Sequence, residues 1–187
     1  MVTIEASDIV HRCRENDRMA QRELFRLYKQ KVYDLAFKSL GGRFDIDDVV
    51  QQVFIAVFGS LRHFKGESSL DTWVYRITVK VCTTQLRKKY RKRQVPIIYD
   101  SMERETEDLS AANPAAVVEK KELTHAIFDA LDKLSIEKRM IVTMYEMDGN
   151  TIEEIARILK KPVGTVKSRL FHGRKALEKH LRGYVKS

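Results

Sequence analysis

Apolar side chains recur at three- and four-residue steps along most of this chain, and the strict alternation of a half-buried strand is nearly absent. A first short helix is predicted over 7–15, with Ser7 as its N-cap. A second is predicted over 17–40, where Ala20, Leu24, Tyr28, Val32, Leu35 or Ala36, and Leu40 keep the helical step. Gly41-Gly42 should end it. A third begins near Asp45 and carries Ile46, Val49, Val50, Val53, Phe54, Val57, Phe58 and Leu61 as its apolar stripe. Asp45, Asp47 and Asp48 stand at its start, where the helix dipole favours negative charge. A polar, glycine-containing loop, Phe64 to Ser69, leads into a fourth helix over about 69–92, with Leu70, Trp73, Ile77 and Val81 on one face.

The periodicity breaks over 95–118, which holds Pro96, Pro114 and five acidic residues. By composition this is a linker. Helical spacing then returns. Leu123, Ile127, Leu131 and Leu134 mark one helix, and Ser135 should cap another that runs to Met147 and stops at Asp148-Gly149. Thr151-Ile152-Glu153-Glu154 is a capping box, a threonine with a glutamate three positions on. Ile152, Ile155, Ala156 and Leu159 follow as a short amphipathic helix. Residues 160–163 turn the chain, and Val166, Leu170, Leu177 and Leu181 carry a last helix. The expected fold is all-α: two small helical domains, 1–94 and 119–187, joined by a flexible linker, the C-terminal one a helix-turn-helix.

Charge sharpens that division. Residues 1–94 carry 19 Lys/Arg against 11 Asp/Glu, residues 95–118 one against five, and residues 119–187 15 against ten. Two basic blocks flank an acidic segment, which suggests two contacts with a polyanion. The chain is 43% hydrophobic, enough for a core, yet no uncharged run approaches the roughly 20 residues of a membrane span. The N-terminus carries Glu5 and Asp8 and no apolar signal core, so the expected location is the cytoplasm. Cys13 and Cys82 then read as ordinary buried thiols. The five histidines show no metal-ligand spacing. Neither a Ser/His/Asp signature nor a phosphate-cradling glycine loop is present. No catalytic residue, metal or cofactor is expected.

Three segments carry candidate chemistry. In 151–171, small Ala156 lets two helices cross closely and Val166 plugs their shared core, while Lys167, Ser168, Phe171 and His172 project outward. Such a helix fits the major groove. The alternative is a hairpin inside some other bundle, and the capped first helix, the placed alanine and the basic second helix favour DNA. Arg87-Lys88-Lys89-Tyr90-Arg91-Lys92-Arg93 packs six cations around one tyrosine, a density suited to a phosphate backbone, although cations also suit a helix C-terminus. The loop 64–69 has the apolar flank, glycine and polar groups that hold an unstacked base. The same residues also make an ordinary interhelical loop, and Trp73, in step with Ile77, reads as core.

On these segments the chain resembles the extracytoplasmic-function sigma factors, the smallest members of the main bacterial sigma family. Asp45-Ile46-Asp47-Asp48-Val49-Val50-Gln51-Gln52-Val53-Phe54 resembles the family's polymerase-binding segment. Phe64 through Gly66-Glu67-Ser68-Ser69 to Thr72-Trp73-Val74-Tyr75-Arg76-Ile77 resembles its minus-10 reading loop and helix. Pro162-Val163-Gly164-Thr165-Val166-Lys167-Ser168-Arg169-Leu170 resembles its minus-35 reading helix. The chain departs from the common pattern at Gln52, Lys80, Lys160-Lys161 and His172.

The resemblance implies a sigma factor that binds core RNA polymerase at its clamp and flap and directs initiation at promoter DNA, catalysing nothing itself. It places Asp45, Asp47, Asp48, Gln51, Gln52 and Phe54 at the polymerase. It gives the minus-10 element to Phe64, Lys65, Gly66, Glu67, Ser68, Ser69, Trp73, Arg76, Lys80, Arg87 and Lys88. It gives the minus-35 element to Thr165, Lys167, Ser168, Arg169, Phe171, His172, Arg174 and Lys175, the last two chiefly through phosphates. The acidic linker would run near the RNA exit path. An anti-sigma factor, acting in trans, is implied as the control. Two rivals stand beside this. A stand-alone helix-turn-helix regulator would use 151–175 but leave 45–58 and 64–93 idle. A protein-sequestering mimic would not need the basic run 87–93.

Overall fold

The computed structural model describes residues 4–41, 44–93 and 114–182, with side chains over 8–41, 44–91 and 122–182. Every regular element among them is helical: α1 (Ile4–Arg14), α2 (Arg18–Leu40), α3 (Ile46–Ser60), α4 (Leu70–Arg93), α5 (Pro114–Asp132), α6 (Ile136–Val142), α7 (Ile152–Leu159) and α8 (Val163–Leu181). The chain divides into two compact units, one within 1–98 and one within 99–187.

In the first unit α2 packs against α1, α3 and α4, and α3 packs against α4. The α2 row Ala20, Leu24, Tyr28, Val32, Leu35, Ala36 and Leu40 is buried, as its spacing predicts. The Asp17 carboxylate accepts the Met19 and Ala20 N–H groups and satisfies the open end of the helix. Gly41 closes it with φ of 76°, a conformation that disfavours a Cβ; Gly42 lies outside the described residues. α3 buries Ile46, Val49, Val50, Val53, Phe54 and Val57, and Leu61 is buried in the 3-10 turn Leu61–His63 that follows. Phe58 is only half-buried. Each fully buried side chain of this size contributes roughly 1.5–3 kcal/mol.

Two expectations fail here. Ser7 lies within α1, which begins at Ile4, and so is not its cap. The buried face of α4 is Leu70, Val74, Thr78, Cys82 and Leu86, with Val79 beside it, whereas Trp73, Ile77 and Val81 form a half-buried flank. The two rows are adjacent on the helix. Polar Thr78 obscures the true one, and its hydroxyl is accommodated by donating to the Val74 carbonyl at 3.0 Å.

In the second unit α8 packs against α5, α6 and α7. α5 starts at Pro114, inside the segment expected to be linker; proline breaks a helix interior but suits a first turn, where its missing N–H costs nothing. Its buried face is Ala126, Ala130, Leu131 and Leu134, while Leu123 is exposed and Ile127 half-buried. Ser135 occupies the N-cap of α6, with extended backbone, but its side chain makes no capping bond. α6 passes directly into a π-helical turn, Thr143–Met147, in which the Asp148 N–H reaches back five residues to the Thr143 carbonyl at 3.2 Å. Gly149, at φ of 69°, ends the segment.

Two packing features hold this unit. The Arg139 guanidinium is wholly buried and pairs with Asp132, itself 11% exposed. Gly173 is buried where α8 meets α6, and a Cβ there would lie 2.7 Å from Val142 Cγ2. The helices approach as closely as they do because that methyl is missing.

Candidate nucleic-acid interface

Three faces carry the candidate residues. The first is the start of α3. Asp45 takes the N-cap, accepting the Asp48 N–H at 3.1 Å. Asp47, Asp48 and Gln51 are exposed beyond it, with Gln52 half-buried. Gln52 Nε2 donates to Asp48 Oδ2 at 2.6 Å, and Gln85 of α4 donates to Gln52 Oε1. These bonds order the amide between the acids and α4. Phe54 is different: it is 3% exposed and lies against Phe25, ring centroids 4.5 Å apart. It supports the face from beneath rather than standing on it.

The second face runs from the 64–69 loop along α4. Phe64 is buried and packs on half-buried Trp73, centroids 5.2 Å apart. Lys65, Gly66, Glu67 and Ser69 are exposed and Ser68 is half-buried. Gly66 turns at φ of 74°, with open space around the position a Cβ would take. Ser69 Oγ accepts the Thr72 N–H at 3.1 Å and so caps the incoming helix. From there Arg76, Lys80, Thr84, Arg87, Lys88 and Arg91 are exposed. Arg76, Lys80, Thr84, Arg87 and Arg91 follow steps of three and four on the side away from the buried row 70-74-78-82-86, with Lys88 beside Arg87. Lys89 is not in that stripe; its ammonium sits 4.3 Å from the centre of the Phe44 ring. Asp71 is engaged by Lys31 at 2.5 Å and by the Tyr28 hydroxyl at 3.2 Å. The lysine bond holds its carboxyl below the ordinary range. Burial, aided by Asp71, pushes the Tyr28 phenol up.

The third face is the helix-turn-helix. Thr151 Oγ1 accepts the Glu154 N–H at 3.2 Å and Glu154 Oε2 accepts the Thr151 N–H at 2.8 Å, so the capping box is complete. The Thr151 N–H, with the Thr151 hydroxyl donating to the same oxygen at 2.8 Å, holds the Glu154 carboxyl below its usual value. The turn is made by Lys160 in the left-handed conformation, φ 51° and ψ 51°. The Lys161 N–H returns to the Ala156 carbonyl at 2.9 Å. Lysine thus adopts the conformation that glycine commonly supplies. Ile155, Ala156, Val166, Leu170 and Gly173 are buried between the helices. Opposite them Gly164, Lys167, Ser168, Phe171, His172 and Lys175 are exposed, with Thr165 half-buried. Phe171 is 62% exposed, and its ring meets that of His172 edge-on with centroids 5.3 Å apart. The two arginines flank this face and are engaged: Arg169 pairs with Glu137 at 3.0 Å, and Arg174 pairs with Glu146 while lying 4.8 Å over the Tyr145 ring.

Sequence reading missed both glutamates, because the pairing depends on how α6 and the π-helical turn meet α8. It also missed Gly173, although a glycine inside a helical pattern is a signal of close packing. Among the described residues no cluster of His, Cys, Asp and Glu could hold a metal ion, and no helix is long and apolar enough to cross a membrane. Both cysteines are buried, and neither is in a disulfide among the described residues.

An acid-capped helix, a cationic helix with a loop at its head and a separate helix-turn-helix together define a transcription factor with more than one macromolecular partner. Comparison with known proteins gives the family. Residues 24–92 match Sigma-70 region 2 and residues 124–177 match Sigma-70, region 4. The chain is 32% identical over 183 residues to the ECF RNA polymerase sigma-E factor of Escherichia coli K12, covering 95% of each. It is 32% identical over 177 residues to the factor of the same name from Haemophilus influenzae, covering 91% of this chain and 92% of that one. The fold is similar to the sigma factor RpoE of Bartonella quintana, solved with the anti-sigma factor NepR, at TM-score 0.62, 22% identity and coverage of 86% and 96%. It is also similar to CnrH, solved with the cytosolic domain of CnrY, at TM-score 0.61, 21% identity and coverage of 94% and 96%. The chain belongs to the ECF sigma factors of the sigma-70 family. It is a transcription initiation factor whose partners are core RNA polymerase and promoter DNA, and it is not an enzyme.

Proposed function

We propose that the two domains divide the labour. The domain 1–94 binds the polymerase clamp through Asp45, Asp47, Asp48, Gln51 and Gln52, with Phe54 as their support. It reads and melts the minus-10 element through the loop 64–69 and the α4 stripe. The domain 119–187 engages the flap and reads the minus-35 duplex through Thr165, Lys167, Ser168, Phe171 and His172. Arg169 reads beside them, and Arg174 and Lys175 hold phosphates. The linker, which ends where α5 starts at Pro114, lets the two contacts be made together. The factor works in the cytoplasm and is controlled by an anti-sigma factor, as RpoE of Bartonella quintana is found with NepR.

The observation that carries the minus-10 assignment is the α4 stripe. Arg76, Lys80, Arg87 and Lys88 are exposed on the helix that directly follows the 64–69 loop. A solvated helix face would mix acids with its cations, and between Arg76 and Arg91 there is no acid at all. Uninterrupted positive charge at the step of a helix suits a phosphate backbone.

Run-off transcription from a randomised promoter library, with core polymerase and with or without this chain, tests the whole assignment. Transcripts that require the chain, from templates sharing two spaced elements, are the expected result. A chain that gives DNA binding but no polymerase-dependent transcript would return the protein to the stand-alone regulator.

A further inference from the structure

Arg14, the last residue of α1, lies outside the stretch that matches the sigma-70 regions, which begins at residue 24. Its side chain nonetheless reaches the head of the 64–69 loop. Arg14 Nε donates to the Leu61 carbonyl at 3.2 Å, and Nη2 donates to the Phe64 carbonyl. These contacts cross 47 and 50 residues of sequence. They fall where α3 and its 3-10 turn run out of partners: helix C-termini leave carbonyls unsatisfied and favour a cation beside them. The Leu61 carbonyl already accepts the Phe64 N–H at 3.1 Å, so one guanidinium fork ties down both ends of that turn. α1 also packs on that turn.

The Phe64 ring packs on Trp73 at that same end. The other end is fixed separately, where Ser69 caps α4 through Thr72. Between these anchors Lys65, Gly66 and Glu67 are exposed. The loop is pinned at both ends and open in the middle. A loop ordered before its ligand arrives spends less of its binding energy on ordering.

We propose that Arg14 is a positioning residue for base capture: its guanidinium staples the Leu61 and Phe64 carbonyls and so sets the loop that receives an unpaired base of the minus-10 element. The proposal rests on the base-capture reading of the loop. Arg14 touches no base itself; it acts through the backbone of the loop.

The test uses holoenzyme assembled from bacterial core polymerase and the full chain. The probes are single-stranded minus-10 oligonucleotides, of the sequence selected with the wild-type factor, with one base at a time replaced by an abasic site. Wild type should discriminate against loss of the captured base by roughly tenfold, the scale of one stacked base. Arg14→Ala should cut that discrimination to about threefold or less, as a lost charged bond to carbonyls would. Arg14→Lys, which keeps a cationic donor, should recover part of it. Thermal melting accompanies each variant, and Arg14→Gln replaces Arg14→Ala if the alanine chain does not fold. Undiminished discrimination in a folded variant overturns the proposal, as does a lower melting temperature with discrimination intact, which makes the bond merely structural. An equal loss on intact and abasic probes also overturns it, because Arg14 would then be a phosphate contact. If wild type itself shows no position-dependent discrimination, the base-capture reading fails first, and the Arg14 role falls with it.

Discussion

The two helices proposed to meet DNA, α4 and α8, are built alike and armed differently. Each buries a row at helical step and presents cations on the other side. On α4, Arg76, Lys80, Arg87 and Lys88 have no ion pair among the described residues. On α8, Arg169 and Arg174 are held by Glu137 and Glu146. Unpaired cations act as diffuse charge, gaining affinity by releasing counterions without fixing where each side chain points. A guanidinium held by a carboxylate loses some of its charge to the pair but arrives oriented. The difference suits the tasks. A single strand leaving a melted duplex has no fixed groove and needs a tolerant track, whereas a duplex element must be met in register.

The largest effect should come from the support of α8. Asp132→Ala takes away the carboxylate that faces the wholly buried Arg139 guanidinium. It should destabilise the second unit by about 3 kcal/mol, seen in denaturant unfolding as early loss of that unit with the first unit's transition unchanged. Gly173→Ala comes next. With 2.7 Å to Val142 Cγ2, the added methyl must push α8 from α6 at about 1–3 kcal/mol. Minus-35 binding should fall while single-stranded minus-10 binding stays; equal loss of both would break the separation drawn between the helices.

The charge contrast itself is tested by salt. Replacing Arg76, Lys80 and Arg87 together by glutamine should reduce the salt slope of promoter binding by about 0.7–0.9 for each phosphate lost. Glu146→Gln should leave the slope nearly unchanged and lower the ratio of minus-35 to non-specific affinity. Fluorescence anisotropy over a salt series reads both; a slope change from Glu146→Gln as large as that of the triple variant would erase the contrast. The smallest effect concerns acid. The Glu154 carboxyl is held low by its bonds to Thr151, so its contribution is present above the ordinary glutamate range and is lost as pH falls through the lowered value. Melting temperature of the second unit should therefore drop on acidification, and Glu154→Gln should flatten that limb.

Legibility tracks the range of the interactions. The α2 and α3 rows and the Thr151 capping box depend on neighbours within one or two turns, and all three are plain in the sequence. The α4 face reads one position off, since Thr78 is polar and only its bond to the Val74 carbonyl admits it to the core. Pro114 reads as a breaker until its place at a helix start is known. The candidate site divides similarly. Outward positions such as Lys167 and Phe171 follow from the helix step. That Phe54 and Phe64 are buried, and that Glu137 and Glu146 hold arginines, depends on approaches between elements distant in sequence, and no local pattern encodes those. The Arg14 contact is of the same kind.

The π-helical turn at Thr143–Met147 has a meaning best put as insertion and deletion. Such a turn holds one residue more than an α-helix of the same span, and each residue turns the helix by about 100°. Tyr145 and Glu146, which meet Arg174, both lie in that turn. Deleting Thr143, at the head of the turn, should let α6 continue as plain helix and rotate Tyr145 and Glu146 by about 100° away from Arg174. A chain one residue shorter would keep every side chain named on α8 and lose the hold on one of its arginines.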